Sequence, residues 1–258
     1  LITVITPTHN RPYLLHRTLQ SLIAQTISDF KVIVIADSGR YLPPIQELGA
    51  LSGRSIYVQR DDGRGAGPAV SRNIGLDLVT TPYLMFLDDD DTFEPTHLEA
   101  VASVLMESQP PILITDFKVA EEDRNQTPPT RLQTVSVSLA QATADQILVR
   151  NTVPNSCIIY RSELINDLRF DASMGRYEDW NFLLEVLKRS RFQHAPIDTV
   201  VIHKSYRDGE ANLRRSNSQE DKVLSSTLEV YRRHPPPNQS ILEARKSLLA
   251  SVGYTYQA

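Results

Sequence analysis

Four consecutive carboxylates, Asp88-Asp89-Asp90-Asp91, follow directly on the apolar run Tyr83-Leu84-Met85-Phe86-Leu87. Two such charges about 4 Å apart repel by about 4 kcal/mol at an effective dielectric of roughly 20, so the run calls for a compensating positive group. Carboxylate oxygens are hard ligands suited to Mg²⁺ or Mn²⁺, ions that keep positions open for water and for phosphate oxygens. A cation-held diphosphate is the chemistry this suggests. The alternative is a solvated acidic turn in which Asp91 or Thr92 caps the next helix.

A second carboxylate pair, Glu178-Asp179, lies between Arg176-Tyr177 and Trp180 at the start of a helical pattern. Acidic residues in a first turn suit the helix dipole, and a carboxylate there can also serve as a general base toward a hydroxyl. Asp37 ends the run Lys31 to Ala36 and is either the turn-former of an Asp-Ser-Gly bend or a nucleotide contact. His9 and Asn10 open a helix; Asn is a strong N-cap, and His9 could stack on a nucleobase. Arg72 is an ordinary surface cation or a partner for the acidic cluster or for phosphate. His203, after an apolar strand, is a third metal ligand or a structural histidine.

These residues need a scaffold that brings them together. Ile2 to Thr6 is β-branched and apolar, and Leu14, Leu15, Thr18, Leu19, Leu22 and Ile23 recur at helical spacing after Pro7-Thr8-His9-Asn10-Arg11-Pro12, with Asn10 or Thr8 placed to cap the helix. Lys31 to Ala36 reads as a strand buried on both faces and Ile56 to Gln59 as a third strand. The glycine-rich stretch Arg60 to Pro68 reads as a loop, Ala69 to Leu78 as a helix, Tyr83 to Leu87 as another strand, and Pro95 to Ser108 as a helix. Such alternation predicts a mainly parallel open sheet, whose ligands gather outside the carboxyl ends of the strands. His9, Asn10, Asp37 and Asp88 to Asp91 then share one rim.

The second half is less regular. Strands are expected at Ile112 to Thr115, Cys157 to Tyr160 and Thr199 to Ile202, helices at Ala140 to Arg150 and Glu178 to Arg189, and a polar loop at Arg124 to Thr130. Ser205 to Ser218, with Arg207, Arg214 and Arg215, reads as a surface loop or as a lid over a diphosphate. Two helices, Gln219 to His234 and Ser240 to Ala250, close the chain around Pro235-Pro236-Pro237.

Composition narrows the function classes. The 258 residues are 41% hydrophobic and 22% charged, typical of a globular chain. With 27 Lys plus Arg against 31 Asp plus Glu, the net charge of -4 offers no general nucleic-acid footprint. The single cysteine, Cys157, excludes an internal disulfide framework and a cysteine-built zinc site, and fits a reducing compartment. No apolar run reaches the roughly 20 residues of a membrane span, which points to a cytoplasmic location with peripheral membrane association left open. Leu1 stands where an initiator Met is expected, which predicts a partial or trimmed chain. Gly63 to Gly67 lacks the G-x-G-x-x-G spacing of a dinucleotide site, and no GK[ST], H-E-x-x-H or G-x-S-x-G motif occurs.

In order and spacing, the motifs resemble those of the family 2 inverting glycosyltransferases, which have the GT-A fold. The matching segments are Ile5-Thr6-Pro7-Thr8-His9-Asn10-Arg11, Leu19 to Thr26, Asp29-Phe30 before the Asp37 strand, Ser71-Arg72-Asn73-Ile74-Gly75-Leu76, Pro82 to Asp91 and Pro95. Glu178-Asp179-Trp180 resembles the family's ED motif and extends the likeness to about residue 207. The resemblance implies one α/β/α domain over 1–258, with a mainly parallel sheet. It comprises a nucleotide-sugar half (1–100), an acceptor half (101–210) and a helical tail (211–258).

It further implies a nucleotide-diphosphate sugar donor, a UDP-sugar in the first instance, with Thr8, His9, Asn10 and Asp37 around the nucleoside and Arg72, Asp88 and Asp89 beside them. Asp88 to Asp90 would form the DXD-type segment, with Asp90 as direct ligand of Mn²⁺ or Mg²⁺ and Asp88 as ribose or water-mediated metal contact. Asp179 would be the base that activates a saccharide or other hydroxyl acceptor, in polysaccharide or glycoconjugate synthesis. Asp37 departs from the family's common paired Asp, and the run of four Asp offers several ligands. A sugar nucleotidyltransferase and a non-catalytic nucleotide- or glycan-binding module are the alternatives; the first wants a glycine-rich basic loop where Pro7-Thr8-His9-Asn10 stands.

Overall fold

A computed structural model describes residues 1–37, 41–60, 65–125, 129–205 and 217–256. The apolar runs of the first half become strands β1 (Ile2–Thr8), β2 (Phe30–Ala36), β3 (Ser55–Gln59) and β4 (Tyr83–Phe86). β1 pairs in parallel with β2 and β4, and β2 with β3. All seven residues of β1 are buried, as expected of a central strand with both faces covered. The register Thr8↔Ala36 and Ile5↔Phe86 brings the carboxyl ends of β1, β2 and β4 to one rim, closed by Asp37 N donating to Thr8 O at 2.9 Å and Leu87 N to Ile5 O at 2.9 Å.

Helix α1 (Pro12–Ile23) buries Leu15, Thr18, Leu19 and Leu22 against this sheet. Its N-cap is Arg11 with no side-chain cap, so neither Asn10 nor Thr8 caps it; Asn10 instead takes a left-handed turn at φ 54. A short helix, α2 (Ile45–Ala50), precedes β3, and α3 (Pro68–Asp77) returns the chain to β4. Gly75 lets α3 lie directly on β1, since a Cβ there would sit 2.4 Å from Ile5 Cγ2. After β4 the chain forms β5 (Thr92–Phe93) and then α4 (His97–Ser108), whose N-cap is Thr96. Asp91 and Thr92 therefore cap no helix, which removes the acidic-turn alternative.

The second half extends the sheet by long pairings. β6 (Ile112–Asp123) runs twelve residues and β9 (Gln193–Ser205) thirteen, against the four expected for each. They are parallel to each other, while β7 (Thr130–Val137) and β8 (Ile158–Arg161) pair with β6 antiparallel. The order is β3-β2-β1-β4-β8-β6-β9-β5, with β7 beside β6. The remaining helices are α5 (Ala144–Val149), α6 (Ser162–Ile165), α7 (Glu178–Leu187) and the tail helices α8 (Asn217–Arg233) and α9 (Gln239–Ala250).

The tail is fastened to α5 and α7. The carbonyls of Ile147, Leu148 and Val149, left open at the end of α5, accept from Trp180 Nε1 (2.7 Å), Arg245 Nη2 (2.8 Å) and Tyr231 Oη (2.6 Å). Arg245 is fully buried, with its charge at a helix C-terminus and its guanidinium 4.1 Å over the Tyr231 ring. Among the described residues, no helix is long and apolar enough to cross a membrane.

Candidate active site

The shared strand rim encloses a cleft of about 520 Å³ lined by Thr8, His9, Arg11, Asp37, Gly65, Gly67, Ser71, Arg72, Asp88, Asp89 and Asp90. Most of the residues singled out in the first hundred positions therefore meet in one place. Asp37 is buried at the end of β2, where its carboxylate accepts from the Arg60 guanidinium and from Gly67 N at 2.8 Å. A Cβ on Gly65 would come within 2.7 Å of His9 Cε1 and 3.3 Å of Asp37 Oδ2, so glycine lets the loop backbone approach both. Asn10 lies beside the cleft, 3.3 Å from His9 Nε2, and lines an adjoining hollow with Tyr41 and Tyr57.

The four aspartates divide by role. Asp89 is buried and accepts from Thr8 Oγ1 at 2.7 Å and Arg11 Nη1 at 3.2 Å. Asp91 is buried further in, where it accepts from Ser156 Oγ at 3.0 Å and His203 N at 3.3 Å. Burial, then Asp88 and Asp90, push the Asp91 carboxyl well above the ordinary range. Asp88 and Asp90 are only half-buried and line the cleft. Burial and the Asp88 charge raise the Asp90 carboxyl although Arg11, whose Nη1 donates to it at 3.5 Å, opposes them; a cation bound by Asp88 and Asp90 would relieve the remaining cost. Their oxygens suit a hard divalent ion that takes its other ligands from water and phosphate.

The structure does not bring His203 to this pair. Its Nδ1 bonds Glu122 Oε1 at 2.5 Å and its Nε2 lies 2.8 Å from Thr92 Oγ1, so both ring nitrogens are engaged. Among the described residues, no three His, Cys, Asp or Glu side chains converge on a cation position. His203 is corrected to a buried network histidine, its pKa lowered to about 4 chiefly by burial.

Arg72, far from being a surface cation, is 4% exposed. It donates through Nη2 to Asp88 Oδ1 and through Nη1 to Glu178 Oε1, each at 2.8 Å. Burial works to lower its pKa, but Asp88, Asp179 and Glu178 hold it above the ordinary value. One guanidinium thus joins the β4 rim to the start of α7. There Tyr177 takes φ 65 and Asp179 accepts from Trp180 N at 2.7 Å. Burial, then the Glu178 charge, raise the Asp179 pKa to about 6, with Arg72 opposing. A carboxyl poised there suits general-base work near neutral pH.

Several partners of these residues had no sequence signal. Glu122 lies in an acidic stretch at the end of β6, and nothing local marks it as the buried acceptor of Arg17 and His203. Thr18 carried a weak one: a hydroxyl on the apolar stripe of α1, now seen bonded to the carbonyls of Asp89 and Asp91. The basic segment Arg207, Arg214 and Arg215 lies outside the described residues.

A family model for glycosyl transferase family 2 matches residues 3–169. An uncharacterized glycosyltransferase of Bacillus subtilis, YwdF, is 29% identical over 205 residues, 78% of this chain and 73% of its own length. Among solved structures, S. aureus TarS 1-349 in complex with UDP superposes with a TM-score of 0.66 at 18% identity, over 98% of this chain and 72% of that one. A mannosyltransferase from Pyrobaculum calidifontis in complex with GDP-Man and Mn²⁺ gives 0.59 at 16% identity, over 100% and 76%. The fold is that of the GT-A glycosyltransferases.

Proposed function

We propose that this chain, which belongs to glycosyl transferase family 2 and is a nucleotide-sugar-dependent glycosyltransferase, works with inversion at the anomeric carbon and with a divalent cation. The donor we assign is a UDP-sugar and the acceptor a hydroxyl of a saccharide or glycoconjugate. The observation that carries the reading is the Arg72 bridge, which ties the cleft carboxylate Asp88 to the Glu178-Asp179 pair. UDP in the TarS complex, and GDP-Man with Mn²⁺ in the mannosyltransferase, support a nucleoside-diphosphate donor and a metal.

In this reading residues 1–100 bind the donor, 101–210 shape the acceptor site and 211–258 brace them. Thr8, His9, Asn10 and Asp37 receive the nucleoside. Asp90 and Asp88 would hold Mn²⁺ or Mg²⁺, whose chemistry is to neutralise charge on the departing diphosphate. Asp179 removes the proton of the acceptor hydroxyl, and the acceptor oxygen bonds to the anomeric carbon on the face opposite the diphosphate. The bond from that carbon to the diphosphate oxygen breaks and its electron pair leaves with UDP, so the configuration inverts. Asp89, already bound by Thr8 and Arg11, keeps the loop in shape.

The test is a thermal-shift panel of UDP-, GDP- and dTDP-sugars with and without Mn²⁺, followed by NMR of the product made from the best donor. Stabilisation by a UDP-sugar only with metal, and a product of opposite anomeric configuration, are expected. Retention of configuration, or full transfer in chelator, would overturn the assignment.

A further inference from the structure

The metal-facing carboxylates sit on a segment whose backbone is gripped from behind. Arg17 Nη2 donates to Asp90 O at 2.8 Å, and the Thr18 hydroxyl is shared between Asp89 O at 2.9 Å and Asp91 O at 2.7 Å. Asp88 O accepts from Asp91 N at 3.1 Å, so all four carbonyls of the run are occupied. The peptide planes on either side of the Asp90 Cα are those that carry Asp89 O and Asp90 O. Holding both fixes φ and ψ of Asp90 and hence the direction of its Cα–Cβ bond.

Arg17 is itself aimed by a residue far away in sequence. Glu122, 3% exposed on β6, accepts from Arg17 Nη1 at 2.8 and 2.9 Å and from His203 Nδ1 at 2.5 Å. Although burial works against it, these bonds hold the Glu122 carboxyl below its ordinary range. Arg17 cannot swing away from Asp90 O without leaving this carboxylate buried and short of a donor, which is costly.

We infer that Arg17 and Thr18, with Glu122 behind Arg17, are positioning residues that set the aim of Asp90 toward a divalent cation. The inference rests on the metal-dependent reading above. None of the three is among the residues that line the cleft; Arg17 and Thr18 act through the backbone of the aspartate run, and Glu122 through Arg17. Removing such support weakens metal binding by about tenfold while the ligand itself stays in place.

Mn²⁺ binding is measured by electron paramagnetic resonance in the presence of UDP, together with melting midpoints without metal. Thr18→Val is expected to weaken Mn²⁺ binding by about tenfold, with transfer recovering as Mn²⁺ is raised. Thr18→Ser, which keeps the hydroxyl, stays within about twofold of the parent. Arg17→Lys, which replaces the rigid fork that spans Glu122 and Asp90 O by a point charge on a flexible stem, and Glu122→Gln follow Thr18→Val. Wild-type Mn²⁺ affinity in folded Thr18→Val and Arg17→Lys, with only the melting midpoint lowered, would reduce these residues to a structural role and overturn the inference. If Thr18→Val does not fold, Arg17→Lys and Glu122→Gln decide by the same measurement. Should the parent protein itself bind no Mn²⁺ with UDP, the metal reading falls and takes this inference with it.

Discussion

The Asp88–Asp91 run and the Glu178-Asp179 pair come from opposite halves of the chain and meet at Arg72, yet their charge is handled by different means. In the run, α1 holds the backbone through carbonyls, while the half-buried side chains of Asp88 and Asp90 meet Arg72 and Arg11. In the pair, Arg72 binds the Glu178 side chain itself, and the neighbouring Asp179 is raised to about 6. Arg72 gives its other arm to Asp88, and Arg11 reaches Asp89 and Asp90, so in the proposed reading a cation arriving with the donor would share Asp88 and Asp90 with resident guanidinium groups. Each site sets a buried, bonded carboxylate, Asp89 or Glu178, next to a half-buried one, Asp90 or Asp179, to which the proposed function gives the chemistry. This division lets adjacent acids with one formal charge take different roles.

The contrast is broken most severely at the proposed base. Asp179→Asn should lower kcat by about 10³-fold, within the range of general-base contributions, while UDP and Mn²⁺ binding by calorimetry stays unchanged. Asp90→Asn should act oppositely, with transfer down by about 100-fold and Mn²⁺-dependent UDP binding lost. Matching binding defects in the two variants would erase the distinction drawn above.

Arg72→Met probes the link between the sites. It leaves Glu178 and Asp88 without their shared cation and should cost about 3 kcal/mol in chemical unfolding. Since Arg72 lowers the Asp179 pKa, its loss should also move the acidic limb of the rate profile upward from about pH 6. In the parent enzyme kcat should rise through about pH 6 as Asp179 loses its proton. The stability sign is the reverse: the folded state holds a proton between 3.8 and about 6 that the unfolded chain has lost, so stability falls as pH rises through that window. Asp179→Asn should flatten both curves.

The smallest effect is expected at Gly65→Ala, where the new Cβ would press on His9. His9 is exposed and can give way, so nucleotide affinity should drop only about threefold, read by titration. A change of that size would mark the rim as adaptable where the aspartate run is rigid.

How much was legible in the sequence follows the same division. β1, β2, β4 and α1 stood out because buried strands and amphipathic helices announce themselves in local periodicity. β6 was expected to stop at Thr115, but it continues through Lys118 and Glu121 to Asp123 because β7 and β9 pair with it there. Strand formation by polar residues depends on such partners, and β7, almost wholly exposed, had no apolar pattern to betray it. Arg72 was recognised as a candidate partner of the acidic run; that it is buried and forked between two sites came from the placement of α7.

By itself the chain's sequence determined that carboxylates stand at a strand end, that a second acidic pair opens a helix, and that a parallel sheet would carry His9, Asn10 and Asp37 to the first of these. Those are consequences of short-range pattern, which any stretch of about ten residues carries within itself. Only the tertiary structure decided that Asp89 and Asp91 are buried against Thr8, Arg11 and Ser156 while Asp88 and Asp90 stay half-buried, and that His203 belongs to Glu122. Four identical side chains in a row have the same local chemistry. What separates them is burial and the donors brought from positions up to 112 residues away, which enter only when the chain has folded.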